Sequence, residues 1–180
     1  MREVEVKAQI RNLNHLLEGL ASIGCVLSSA TQQKDTVYVP KGMGIPVPEN
    51  TNVLRLREQG NKVLLTLKIP KTNQLDCIEK ELEISDASEM EAIILLLGFE
   101  KASFTEKFRR KGKVGDLEVC VDSVTDLGDF IEVEKLVDES AGEGVQTELF
   151  AFLQSLGVVE ADQVFEGYDI LLGRKRGSIK

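Results

Sequence analysis

The sequence is poor in the residues on which several common catalytic and metal-binding schemes depend. Its 180 residues include no tryptophan and a single histidine, His15, which lies among leucines in a helical pattern. A Ser-His-Asp triad and a metal site built from several histidines are therefore not expected. The Gly-x-x-x-x-Gly-Lys-Ser/Thr loop is also missing, so any bound phosphate must be held by side chains rather than by backbone amides.

The three cysteines form neither a disulfide pattern nor a zinc-binding pattern. Cys25, Cys77 and Cys120 are odd in number, lie far apart in the sequence and include no Cys-x-x-Cys pair. We therefore predict three reduced thiols in the core.

Long apolar runs and an excess of basic charge are missing too. No segment approaches the roughly 20 apolar residues of a membrane-spanning helix, and the first residues lead directly into a strand pattern without a signal sequence. The net charge of −8 argues against a general nucleic-acid binder, because such proteins neutralise phosphates with clustered lysine and arginine. These features predict a cytoplasmic protein with neither a membrane nor a nucleic acid as its partner.

The apolar pattern predicts about eight strands and four helices. Alternation with a period of two predicts strands at 3–7, 34–39, 52–58, 62–69, 77–85, 103–111, 117–122 and 130–136. Spacings of three and four, most of them followed by a glycine, predict helices at 13–23, 86–97, about 146–156 and about 162–172. The length favours one domain, 1–180, with barrel motifs at about 3–136 and C-terminal helices at about 146–172.

The charged faces of these strands are sorted by sign. Strands at 3–7, 79–83 and 130–134 carry mainly acids, whereas 55–57 and 107–109 carry bases. On the solvent-exposed face of an open sheet, acidic and basic residues are expected to occur together on the same strands. Segregation by strand instead favours an α+β protein with a closed antiparallel eight-stranded β-barrel and flanking helices, because closure removes exposed edges and places the charged faces inside.

Such an interior requires a ligand that carries both signs of charge. Two like charges about 4 Å apart repel by roughly 4 kcal/mol at an effective dielectric near 20. A polyphosphate with Mg²⁺ or Mn²⁺ relieves both clusters, since phosphate oxygens suit arginine and lysine while the metal takes carboxylate oxygens. The composition of the charged faces therefore predicts a small-molecule polyphosphate and a divalent metal.

Six segments resemble the motifs of the CYTH superfamily, which includes class IV adenylyl cyclases, thiamine triphosphatases and inorganic triphosphatases. They are Glu3-x-Glu5-x-Lys7, Leu54-Arg55-Leu56-Arg57, Leu65-Thr66-Leu67-Lys68, Glu79-x-Glu81, Lys107-x-Arg109 and Asp122-Ser-Val-x-x-Leu127-Gly128-x-Phe130-x-Glu132-Val-Glu134. The last segment is the most specific. The resemblance implies the barrel known as a triphosphate tunnel, and it suggests a homodimer.

The resemblance also implies a role for each charged residue. The bases that would bind the triphosphate are Lys7, Arg55, Arg57, Lys68, Lys107 and Arg109. The acids that would hold one or two Mg²⁺ or Mn²⁺ ions are Glu3, Glu5, Asp122, Glu132 and Glu134, among which Glu5, Asp122 and Glu132 are the predicted catalytic residues. Strand parity leaves both Glu132 and Glu134 open as the inner-sphere ligand. Glu79 and Glu81 would act as supporting ligands or as partners of the bases.

Three functions follow from the resemblance. The C-terminal segment Phe165 to Leu172 resembles the ending of the class IV cyclase branch, which favours conversion of ATP to cyclic AMP and pyrophosphate. The second function is hydrolysis of thiamine triphosphate, inorganic triphosphate or a nucleoside triphosphate by a metal-ordered water. The third is triphosphate or nucleotide binding without turnover, for which Cys77 and Gly167 leave room as departures from the family pattern.

Overall fold

The structure is a computed structural model and describes residues 2–138 and 144–177. The strands are β1 (Arg2–Gln9), β2 (Thr31–Pro40), β3 (Val53–Gln59), β4 (Lys62–Asn73), β5 (Asp76–Ile84), β6 (Phe99–Val114), β7 (Leu117–Val124), β8 (Gly128–Val137) and β9 (Gln163–Val164). The helices are α1 (Leu13–Ser22), α2 (Ala87–Leu96), α3 (Val145–Ser155) and α4 (Tyr168–Lys175). Each of the eight predicted strands is present.

The strands form one hydrogen-bonded sheet in the order β5-β4-β3-β2-β6-β7-β8-β1-β9, and β5 also pairs with β1. Because the first and the eighth strand of this order pair with each other, the order is cyclic. The predicted α+β fold, a closed antiparallel eight-stranded barrel with flanking helices, is confirmed.

The chain divides into two compact units, which we call the first unit and the second unit. The first unit comprises Met1–Thr31 and Phe108–Phe165, and the second unit comprises Gln32–Lys107 and Glu166–Lys180. The boundary at residues 107 and 108 falls within β6, so that one strand contributes to both units.

The core of the first unit is built from one face of its strands. Val4, Val6 and Ala8 of β1 are buried, and they share an apolar cluster with valines and isoleucines of β7 and β8 and with leucines of α1 and α3. Side chains alternate across a strand, so residues of the other parity, which include Glu3, Glu5 and Lys7, project from the opposite face. Packing of α1 and α3 on the apolar face thus fixes the direction of the charged face.

The second unit repeats this design with α2. Tyr38 of β2, Leu56 of β3 and Ile94 of α2 form the buried centre of its apolar cluster. Helix α2 begins at the Asp86 cap, whose side chain accepts a hydrogen bond from the Glu89 amide. The helix faces the apolar side of β2 and β3, which leaves the arginines of β3 on the other side.

The fourth helix differs from the prediction. It begins at Tyr168 rather than near residue 162, because Gln163 and Val164 pair with Ala8 and Lys7 as the short strand β9. The apolar spacing of this segment fits a helix, but hydrogen bonding to the edge of β1 takes precedence over it. Among residues 2–138 and 144–177, no helix has the length and apolar character that crossing a membrane requires.

Candidate active site

The predicted acids of the first unit and Lys7 lie on one face of β1, β8 and β7. The register places them in two adjacent rows across the three strands: Glu5, Glu134 and Glu118 in the first row, and Lys7, Glu132 and Cys120 in the second. Directly opposite residues on neighbouring antiparallel strands project to the same face. The rows therefore bring acids, a lysine and a thiol together.

Two buried bases contact three acids of this face, Asp122, Glu132 and Glu5. Arg109 donates to both oxygens of Asp122, with Nε to Oδ1 at 2.7 Å and Nη2 to Oδ2 at 2.5 Å, and it also donates to Glu132. Lys7 Nζ lies 3.1 Å from Glu132 Oε1 and 3.3 Å from Glu5 Oε1. The two bases and the carboxylates of Asp122 and Glu132 are all buried. Each of these two carboxylates therefore needs a base to compensate its charge.

The bases of this network stay charged despite their burial. Burial lowers the pKa of Lys7, but the charges and hydrogen bonds of Glu5 and Glu132 outweigh it and raise the pKa above its ordinary value. Burial also lowers the pKa of Arg109, but the negative charges of Glu132 and Asp122 outweigh it and raise the pKa above its ordinary value. Both cations are therefore fixed features of this face.

Three carboxylates, one of which is the Lys7 partner Glu5, lie close together. Single oxygens of Glu3, Glu5 and Glu134 all lie within 4.8 Å of one another. Burial, the charge of Glu3, a hydrogen bond with Glu118 and the charge of Glu5 together raise the pKa of Glu134 to about 9. An acid that retains its proton at neutral pH marks a place where negative charge exceeds positive charge.

This cluster fits a divalent cation. Carboxylate oxygens are the preferred ligands of Mg²⁺ and Mn²⁺, and a cation would replace the proton of Glu134 while relieving the repulsion among the three side chains. Glu3, Glu5 and Glu134 thus form one set of residues that fits a metal. Asp122 and Glu132, whose role as metal ligands stays a prediction, both contact Arg109.

In the second unit, Arg57 forms a buried pair with Asp35. Arg57 Nε and Nη2 each donate to one oxygen of Asp35 at 2.7 Å. Burial raises the pKa of Asp35, but the hydrogen bonds and charge of Arg57 lower it well below its ordinary range. Asp35 faces Arg57 because the two residues are directly opposite in the pairing of β2 with β3.

The other bases of the second unit also meet acids. Arg55 Nη2 donates to Thr66 Oγ1 at 3.0 Å and to Glu81 Oε2 at 3.2 Å, along a row that crosses β3, β4 and β5. Lys68 Nζ lies 2.7 Å from Glu79 Oε1. Burial raises the pKa of Glu79, but the charges of Lys68 and Arg55 outweigh burial and lower the pKa below its ordinary value. The acidic strand β5 thus balances the bases of β3 and β4.

One donor of Arg55 remains open. Its Nε is buried and has no hydrogen-bond partner among the residues that the structure describes. A buried N–H without an acceptor costs about 1–3 kcal/mol, so such groups usually mark a place where a ligand or water supplies the acceptor.

Lys107 contacts an aromatic ring. Its Nζ lies 4.9 Å from the centroid of the Tyr168 ring at the start of α4, and both residues are buried. A cation over an aromatic face is stabilised by the ring quadrupole. Tyr168 thereby holds Lys107 in a defined direction without neutralising its charge.

The structure separates the predicted site residues into two sets. The first unit contains Glu3, Glu5, Lys7, Arg109, Asp122, Glu132 and Glu134, and the second unit contains Arg55, Arg57, Lys68, Glu79, Glu81 and Lys107. Sequence reasoning missed Asp35, Glu118 and Cys120. Glu118 and Cys120 have the parity of Asp122 on β7, and this was the signal that could have identified them. Asp35 follows Lys34, which has the opposite parity, so the pattern of β2 carries no such signal.

Comparisons with known proteins agree with this fold. Residues 1–168 match the CYTH domain family. A protein of Methanocaldococcus jannaschii named "Putative adenylate cyclase" is 29% identical over 176 residues, which cover 96% of this chain and 99% of the relative. A solved structure from Pyrococcus horikoshii is 27% identical, with a TM-score of 0.80 and coverage of 97% of this chain and 99% of that one.

A more distant structure comes from Hippeastrum. It is 16% identical, with a TM-score of 0.62 and coverage of 98% of this chain and 96% of that one, and is described as a "putative adenylyl cyclase" with a dominant triphosphatase activity. At this identity the likeness concerns the fold. The chain belongs to the CYTH family, whose match spans nearly all of it, and it is an enzyme of the cyclase and triphosphatase class.

Proposed function

We propose that the chain is a metal-dependent adenylyl cyclase that converts ATP to cyclic AMP and pyrophosphate. The Arg55 Nε group, a buried donor without an acceptor among the described residues, carries the assignment of phosphate as the ligand. The name of the M. jannaschii relative favours cyclisation over the other reactions of the family.

Phosphate oxygens would bind to the bases that now contact acids. Arg55 offers its open Nε, and Arg57 and Lys68 exchange carboxylate oxygens for phosphate oxygens of similar hydrogen-bonding character. An arginine has five N–H donors in a planar fork, so it can keep one acid contact while it binds phosphate. Lys7, Lys107 and Arg109 complete the proposed set of phosphate ligands.

Glu3, Glu5 and Glu134 are the residues proposed to hold the Mg²⁺ or Mn²⁺ ion. When bound, this ion would neutralise phosphate charge and lower the pKa of the attacking hydroxyl. We assign the inner-sphere position to Glu134 rather than Glu132, because the oxygens of Glu132 contact Lys7 and Arg109.

In cyclisation, the ribose 3′ oxygen bonds to the α-phosphorus, and the bond from that phosphorus to the pyrophosphate oxygen breaks. The hydroxyl proton passes to a carboxylate of the first unit, since the only histidine, His15, lies in α1. Negative charge moves onto the departing pyrophosphate. Arginine and lysine side chains that are already oriented by acids stabilise this charge at little reorganisation cost.

Hydrolysis of a triphosphate is the second candidate. The Hippeastrum protein supports it, because a protein of this fold with a cyclase name is described there as mainly a triphosphatase. The same bases and acids would serve, and water would attack the γ-phosphorus in place of the ribose hydroxyl.

Parallel incubations with three substrates distinguish these functions. Purified protein is incubated with Mg²⁺ or Mn²⁺ and, separately, ATP, thiamine triphosphate or inorganic triphosphate, and the products are resolved by chromatography. Cyclic AMP and pyrophosphate from ATP support the cyclase. Orthophosphate without cyclic AMP would reject the cyclase and support the triphosphatase. Binding without any product would reject both enzymes and support a nucleotide-binding role. EDTA and a Glu134→Gln variant serve as the metal controls.

A further inference from the structure

The acidic face of the first unit contains a residue that the proposed reaction does not use, namely Cys120. This residue is buried in β7, and its Sγ lies 3.8 Å from Glu118 Oε1. The sulfur and one oxygen each of Glu118 and Glu134 all lie within 4.8 Å of one another. Glu134 therefore belongs both to this group and to the cluster with Glu3 and Glu5.

The surroundings of Cys120 differ from those of the other two thiols. Cys25 packs in the apolar core of the first unit, and Cys77 donates to the backbone oxygen of Gln74. Cys120 instead projects to the charged face, between Glu118 and Asp122 in the strand and opposite Glu132. Buried thiols normally behave as small apolar groups, so a position among carboxylates indicates a different use.

We propose that Cys120 is a ligand of the divalent cation bound at Glu134, and that it shifts the preference of the site from Mg²⁺ towards thiophilic ions such as Zn²⁺ and Fe²⁺. The inference rests on the proposed function, because it takes Glu134 as the metal ligand. On binding, the S–H bond breaks, a metal–sulfur bond forms and the proton leaves to solvent.

The residues around Glu134 offer both hard and soft ligand atoms, so the presence of a thiol can change which metal is preferred. The oxygens of Glu3 and Glu5 suit hard ions such as Mg²⁺, whereas a thiolate selects softer ions. Glu118 contacts Lys111, a half-exposed side chain that can turn to solvent when a cation takes the same carboxylate. Cys120 thus gives its group with Glu118 and Glu134 one soft ligand atom beside two hard ones.

Cobalt reports directly on the sulfur ligand. The test protein carries Cys25→Ala and Cys77→Ala, which leave Cys120 as its single thiol. It is freed of metal with a chelator and titrated with Co²⁺ in the absence of nucleotide. We expect visible d–d bands together with the near-ultraviolet sulfur-to-cobalt charge-transfer band. With Cys120→Ser added, the charge-transfer band disappears and the d–d bands remain.

Calorimetry with Zn²⁺ and Mg²⁺ measures the preference itself. Loss of an outer-shell partner of a metal ligand already costs about 10–100-fold in affinity, so we expect loss of the direct sulfur ligand in Cys120→Ser to weaken Zn²⁺ binding by at least about tenfold, with Mg²⁺ affinity unchanged. Co²⁺ binding without a charge-transfer band overturns the role of Cys120 and leaves the carboxylate site in place. Failure of Co²⁺, Zn²⁺ and Mg²⁺ all to bind overturns the metal assignment of the proposed function as well. The spectrum of the single-thiol protein decides the question even if Cys120→Ser fails to fold.

Discussion

The two units of the chain use the same strand design and balance charge in different ways. In the second unit the bases Arg55, Arg57 and Lys68 each meet an acid from a neighbouring part of the sheet. In the first unit Arg109 and Lys7 engage Asp122 and Glu132, but acids outnumber bases on the charged face. The pKa of Glu134, raised to about 9, is the clearest sign of that excess.

The difference indicates what each unit requires from a ligand. A face whose bases already contact acids can exchange those acids for phosphate oxygens at little electrostatic cost. A face with surplus carboxylate gains most from an added cation. The four predictions below test this contrast, beginning with the largest expected effect.

Removal of Arg109 should destabilise the protein most. Arg109→Met withdraws one guanidinium from two buried carboxylates, Asp122 and Glu132, and we expect the free energy of unfolding to fall by about 3–5 kcal/mol. Urea denaturation followed by circular dichroism measures this loss. Arg57→Met, which affects the single carboxylate Asp35, is the matched variant and should cost less. Equal losses would remove the distinction between the two faces.

The ion pair of Asp35 with Arg57 should make the stability of the protein fall at acidic pH. The folded pKa of Asp35 lies below its unfolded value, so the ionised group stabilises the protein above the unfolded pKa, and this stability is lost as pH falls. We expect Asp35→Asn to cost about 2–4 kcal/mol at pH 7 and progressively less below pH ~4. Urea unfolding across this range measures the difference, and a gap that stays constant with pH contradicts the assignment.

Triphosphate affinity should depend on Arg55 and Lys7. Arg55→Ala and Lys7→Ala each remove charged donors, and we expect each to weaken binding of inorganic triphosphate by about 1.5–3 kcal/mol. Isothermal titration calorimetry provides the measurement. Lys62→Ala is the control, since Lys62 is exposed and pairs with Glu83 on the same sheet. Unchanged affinity in both Arg55→Ala and Lys7→Ala would falsify the assignment of these bases.

The smallest effect should be a gain of stability at Glu134. At pH 7 the raised pKa keeps Glu134 protonated in the folded protein, whereas the unfolded chain ionises it, so folding must take up a proton. A neutral amide of the same shape removes this cost, and Glu134→Gln should raise the stability of the metal-free protein by about 1 kcal/mol. Thermal unfolding with and without Mn²⁺ should show stabilisation by the metal in the parent protein and none in the variant. Glu160→Gln, at an exposed position of the first unit, should change neither. A loss of stability in metal-free Glu134→Gln argues against the charge excess.

Much of the fold could be predicted because both periodicities are strong in this chain. The alternation in residues 3–7 predicted a charged and an apolar face for β1, and the structure shows Val4 and Val6 in the core. The start of α4 could not be predicted, because the pairing of Gln163 and Val164 with β1 is a contact between residues distant in the sequence.

The site could be predicted only in part, for a related reason. Parity identified Arg57 as a residue of the charged face, but the register that sets it opposite Asp35 cannot be determined from the local pattern. The sequence predicted Cys120 as a core thiol because cysteine is usually apolar in its behaviour. All three cysteines are buried and none is in a disulfide, as predicted, yet the contact of Cys120 is with a carboxylate.

Strand β6 carries Lys107 of the second unit and Arg109 of the first, two residues apart on one face, with the exposed Phe108 between them. Because of this spacing, we expect insertions or deletions of a single residue between Lys107 and Arg109 not to be tolerated. A single residue inserted after Lys107 would leave that lysine in place and turn Arg109 to the opposite face, whereas an insertion of two would keep its direction. Homologues should therefore vary in loop length far more readily than in the length of this strand.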